Sequence, residues 1–72
     1  MGITEKKAMA DLLNCLKSRL KWYQEAADVK SGKKPYETGK EYPAKSIKFC
    51  EGAAAELKNT IDMVEHYLKA LQ

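Results

Sequence analysis

The sequence predicts an all-α protein: two long amphipathic helices folded into an antiparallel hairpin, with a second hairpin completing a four-helix bundle. Three observations carry this prediction. Apolar residues recur at alternating steps of three and four in two long stretches. A segment containing Gly32, Pro35 and Gly39 separates them. The apolar sector of each stretch also extends past its seam on one side only, which is wider than a two-stranded contact needs.

The first helix is expected over about residues 4–28. Thr4 is a suitable N-cap, because its hydroxyl can accept from a free amide of the first turn. Met9, Leu13, Leu16, Leu20, Tyr23 and Ala27 then form a heptad seam, uninterrupted by glycine or proline. The second helix is expected over about residues 44–71, with Pro43 at its first helical position, where a missing N–H is harmless. Its seam reads Ile47, Cys50, Ala54, Leu57, Ile61, Val64, Leu68 and Leu71. Gly52 lowers helix propensity by about 1 kcal/mol relative to alanine, offset by the run Ala53-Ala54-Ala55. The intervening residues 29–43 form a basic loop. A tight turn at Thr38-Gly39 would let Tyr36 meet Tyr42.

The 72 residues make one domain. A chain this short buries only about 60% of its unfolded surface, so a supplement to the core is expected. Disulfide and metal supplements are poor candidates: Cys15 and Cys50 have no CxxC spacing and His66 is the single histidine. With Asp28 and Ala44 level, the cysteines stand too far apart along the hairpin for a bridge, at about 1.5 Å per residue. Two free thiols are therefore expected, Cys50 acting as a small core hydrophobe. Self-association remains as the supplement.

The large apolar side chains beyond the seams are Leu12, Trp22, Phe49, Met63 and Tyr67. A lone hairpin would leave them against water, although each is worth about 1.5–3 kcal/mol when buried. Together with Tyr23 beside Trp22, they are the predicted self-association and partner surface, most simply a homodimer. An ordinary bundle core is the plainer reading of Trp22, and the two readings merge if that core is a dimer interface.

The formal charge of +3 is concentrated in the loop. Residues 29–45 carry five lysines against Glu37 and Glu41, whereas 1–28 and 46–72 come to +1 and −1. Lys30, Lys33, Lys34, Tyr36, Lys40 and Tyr42 therefore form a candidate nucleic-acid or partner loop, since lysines neutralise phosphates and tyrosines stack on bases. A solvated loop whose lysines maintain solubility is the plainer alternative. Asp62, Glu65 and His66 share helical spacing, but on the predicted solvent side.

No phosphate-binding glycine loop, nucleophile elbow or catalytic triad is recognisable. No catalytic residue, metal or cofactor is expected. The N-terminus lacks a secretory h-region, and Lys6 stands where a myristoylation motif wants Ser or Thr. No apolar run approaches the roughly 18 residues of a membrane span, so a cytoplasmic protein without membrane attachment is expected. The functional expectation is a non-enzymatic module that self-associates and binds a partner protein. A nucleic-acid-binding regulator using the loop is the alternative.

Overall fold

The computed structural model describes residues 3–71. Two helices, α1 (Ile3–Lys30) and α2 (Ile47–Ala70), pack side by side as a hairpin measuring 45 × 23 × 17 Å. The described residues contain no strand. The predicted all-α hairpin is the observed fold.

The core follows the two seams. The seam residues Leu13, Cys50 and Ile61 are buried and most other seam positions are half-buried, but Ala26, one residue before the expected seam position Ala27, is also fully buried, so the contact strip reaches beyond the expected seam there. Ala26 and Cys50 are fully enclosed. Both are small, so the helices can approach closely towards the loop end. Leu13 and Ile61 fill the interior further along. Ile47 closes the seam at the loop and is 37% exposed. Both thiols are free, Cys15 exposed and Cys50 buried, as the spacing argument required.

Both helix starts differ from expectation. Ile3 is already helical, so Thr4 lies inside the first turn rather than capping it. The second helix begins at Ile47, three residues later than expected, because Ser46 and not Pro43 sets its start. The Ser46 hydroxyl accepts from the Phe49 amide at 3.1 Å, meeting a donor that has no partner within the helix. Proline can tolerate a helix start but has no side-chain acceptor to define one. Lys45 is thereby excluded from the first turn and instead lies over the Phe49 ring, 5.3 Å from its centroid.

The end of α1 is also later than expected, at Lys30 rather than Asp28. Gly32 adopts φ +83. The Lys33 amide donates to the Asp28 carbonyl at 2.8 Å and the Gly32 amide to that of Val29 at 3.2 Å. This is the bonding of a Schellman motif, with glycine in the left-handed position where other residues are strained. The loop therefore occupies 31–46 rather than 29–43.

Burial separates the seam residues energetically. Ile61→Ala should destabilise the fold by about 2–5 kcal/mol through lost packing and a residual cavity. Ile47→Ala, at the exposed end of the seam, should have a clearly smaller effect. Urea unfolding followed by circular dichroism checks the contrast, and equal losses would contradict this placement of the core.

Candidate interaction face and docked loop

The predicted interaction residues divide into an open face and a ring cluster. In an antiparallel pair, the positions flanking corresponding sides of the two seams share one face of the hairpin. On that face Leu12, Phe49, Met63 and Tyr67 are about half exposed, and Trp22 is 39% exposed. Tyr23 is half-buried. It joins the helices by stacking edge-on with Trp22 at 5.2 Å and tilting against Phe49 at 6.3 Å between centroids. Tyr23 and Phe49 are the pair that the proposed level of Asp28 with Ala44 brings together.

The loop is docked rather than free. The Trp22 indole N–H donates to the Glu41 carbonyl at 2.8 Å. The Glu25 carboxylate receives Lys40 Nζ at 2.8 Å and the Tyr42 hydroxyl at 3.3 Å. Lys40 also pairs with Glu37 at 3.1 Å. Gly39 has φ +89, and the Lys40 amide reaches the Glu37 carbonyl at 3.3 Å. This places a glycine at the third position of a four-residue turn, where a type II turn requires one. The turn lets Tyr36 and Tyr42 meet edge-to-face at 5.6 Å, and the Tyr36 hydroxyl donates to the Lys40 carbonyl at 3.1 Å.

These contacts change the electrostatics of the loop. The Lys40 hydrogen bond holds the Glu25 carboxyl below its ordinary value of 4.5. Glu25 and then Glu37 hold the Lys40 ammonium above its ordinary range. Desolvation, then the Glu25 charge, raises Tyr42. Of the predicted loop residues, Lys40, Tyr36 and Tyr42 are thus engaged in internal contacts. Lys30, Lys33 and Lys34 remain exposed, with Lys34 3.9 Å from Asp28.

A cleft of about 690 Å³ lies between the helices near the loop. Its lysines are Lys21, Lys33, Lys34 and Lys58, and its acids are Glu25, Asp28 and Glu51. Mixed charge makes it a polar groove rather than a strong anion site. Asp62, Glu65 and His66 are all exposed. Among the described residues, no group of three or more His, Cys, Asp or Glu side chains is placed to hold a metal ion. No helix of the described residues is long and apolar enough to cross a membrane.

Sequence reasoning missed Glu25 as the anchor of the loop and Lys21 and Lys58 as lining of the cleft. Glu25 lies three residues beyond Trp22, one helical turn along α1, and that spacing was the available signal. The fold and surface define a helical hairpin with one exposed amphipathic face and a basic loop strapped to α1. No family model, no curated protein and no solved structure matches the chain.

Loop docking should depend on pH through Glu25. A carboxyl held below its ordinary value adds stability above that value, and the contribution disappears as pH falls through the lowered value. The raised Lys40 acts in the opposite direction, contributing up to its ordinary value of 10.5 and failing only above it. Docking should therefore persist from about pH 5 to pH 10 and fail on further acidification. Glu25→Gln should release the loop at neutral pH and shift Trp22 emission to the red. A spectrum identical to the unaltered chain would refute the anchoring role.

Proposed function

We propose that this chain is a non-enzymatic interaction module that self-associates through the exposed apolar face and engages a protein partner through the surface left over. The observation that carries the reading is excess surface. The chain exposes 5463 Å², against roughly 4,500 Å² expected for a compact monomer of its mass. The five large exposed side chains of the face are part of that surface. The broad side of the whole hairpin, loop included, spans 45 × 23 Å, which has room for the ~800 Å² per partner of a standard interface.

The composition of the face supports the same reading. Tryptophan, tyrosine, phenylalanine, methionine and arginine are the residue types enriched at interfaces, and Trp22, Tyr67, Phe49, Met63 and Arg19 are all present here. The free thiols fit a reducing, cytoplasmic setting. Nucleic-acid binding through the loop is the second reading, favoured by exposed Lys30, Lys33 and Lys34. It ranks lower because Lys40 is neutralised by Glu25 and Glu37, and because Tyr36 and Tyr42 face one another.

Met63 and Tyr67 are 57% and 59% exposed, so lysine there should leave the hairpin itself folded. Met63→Lys or Tyr67→Lys should weaken self-association by about 10- to 150-fold in Kd, the equivalent of losing about 1.5–3 kcal/mol of apolar burial. Sedimentation equilibrium measures this. A chain that remains an 8.1 kDa monomer at all concentrations would refute the reading.

A further inference from the structure

We propose that a second copy of this chain covers the open face by a half-turn about an axis that lies in the plane of the face and runs across the helices. α1 then lies antiparallel on α1, α2 on α2, and Cys15 meets Cys15 on the axis. This geometry rests on the self-association proposed above and adds its register.

Beside the contact strip each helix carries a second stripe with the same alternating spacing. On α1 it runs Ala8, Leu12, Cys15, Arg19 and Trp22, all exposed. On α2 it runs Phe49, Ala53, Glu56, Thr60, Met63 and Tyr67, of which only Ala53 and Thr60 are half-buried and the rest exposed. Steps of three and four mark a helix that meets another along its length, and the hairpin itself uses one such stripe per helix. The ring contacts of Tyr23 with both Trp22 and Phe49 place the second stripes on one face.

A half-turn in the plane of the face turns the copied face towards the original and reverses both helix directions. Contacts are then reciprocal, residue for residue. On α1, residues whose numbers sum to 30 meet, which sets Trp22 over Ala8 and Cys15 over itself. The same register brings Arg19 to Asp11, a cation and an anion that are both exposed and join no ion pair among the described residues. On α2, residues whose numbers sum to 116 meet, which sets Met63 over Ala53, Tyr67 beside Phe49 and Thr60 beside Glu56. One half-turn generates both registers, so they are not independent. Together they require residues of α1 and α2 within one chain to be level when their numbers sum to 73, half the total of 30 and 116. The observed contact of Tyr23 with Phe49 sums to 72, so the hairpin satisfies both stripes to within one residue, about 1.5 Å.

A half-turn about the helix direction also brings the faces together, laying α1 on α2. It sets both loops at one end, and residues 29–45 of each copy carry a net +3. The half-turn across the helices places the loops at opposite ends and avoids that repulsion. The thiol tells the two apart, because with α1 on α2 the level of Cys15 is occupied by Thr60 of the other copy and not by Cys15.

The full chain, oxidised with diamide and read by mass spectrometry without reductant, tests the arrangement. The unaltered chain should form a covalent dimer, the two Cys15 thiols giving their hydrogens to the reagent, and Cys15→Ser should form none, since Cys50 is buried. Leu12→Cys in the Cys15→Ser background should also form none. That position is 50% exposed but stands six residues, about 9 Å, from its own copy along the helices, too far for a disulfide. In sedimentation equilibrium Arg19→Glu and Asp11→Lys should each weaken the dimer about tenfold, since each replaces two attractions with two repulsions. The double variant should recover the original affinity, which also shows that the reversed chains fold. Leu12→Cys crosslinking as fast as Cys15, or a double variant no tighter than the single ones, overturns the register. An unaltered chain that sediments as a dimer without crosslinking overturns the arrangement and leaves self-association standing. An unaltered chain that is monomeric overturns the reading beneath both.

Discussion

Two helices can share only one line of contact, and everything else about this chain follows from that constraint. Each helix meets its neighbour along a single narrow strip, so only Leu13, Ala26, Cys50 and Ile61 are enclosed among the described residues. A large apolar side chain outside that strip has nothing within the hairpin to cover it. Leu12, Phe49, Met63 and Tyr67 are exposed for that reason and not through any irregularity of the fold. Apolar area removed from water is worth roughly 25 cal/mol per Å², so a surface of this kind is stabilised by whatever covers it.

The loop is a partial answer to the same constraint. Sixteen residues are more than a hairpin connection needs, and here the surplus folds back along α1. Glu25 organises it by receiving Lys40 and Tyr42 together, while the backbone of Glu41 takes the indole N–H of Trp22. The strap thus satisfies the polar edge of the tryptophan and leaves its ring packed on Tyr23. Part of the basic charge that suggested a nucleic-acid site is consumed in holding the strap. The exposed lysines that remain, Lys30, Lys33 and Lys34, lie around the glycine-terminated end of α1.

The sequence was most informative where a repeating physical rule applied. Heptad steps located both helices, the seam and the exposed band, because burial in a helix pair follows a period that side chains report directly. The thiol prediction held because it used only helix rise. The contact of Tyr36 with Tyr42 was legible because a glycine in a short segment marks a turn. Helix ends were less legible, since they depend on single hydrogen bonds: Ser46 outcompeted Pro43, and Gly32 carried α1 past Asp28. The docking of the loop was not legible at all. It joins Glu25 to residues 15 and 17 positions away, and no periodicity links them.

The hairpin and its open face therefore form one account: a line of contact too narrow for the apolar residues present, and a band of large apolar side chains left beside it. The most direct test is the melting temperature of the unaltered chain over a hundredfold range of protein concentration. If the face is covered by a second copy in the folded state, melting temperature rises with concentration, because mass action adds association to folding. A melting temperature independent of concentration, with Trp22 emission equally constant, would mean that the hairpin stands alone and would contradict the central claim.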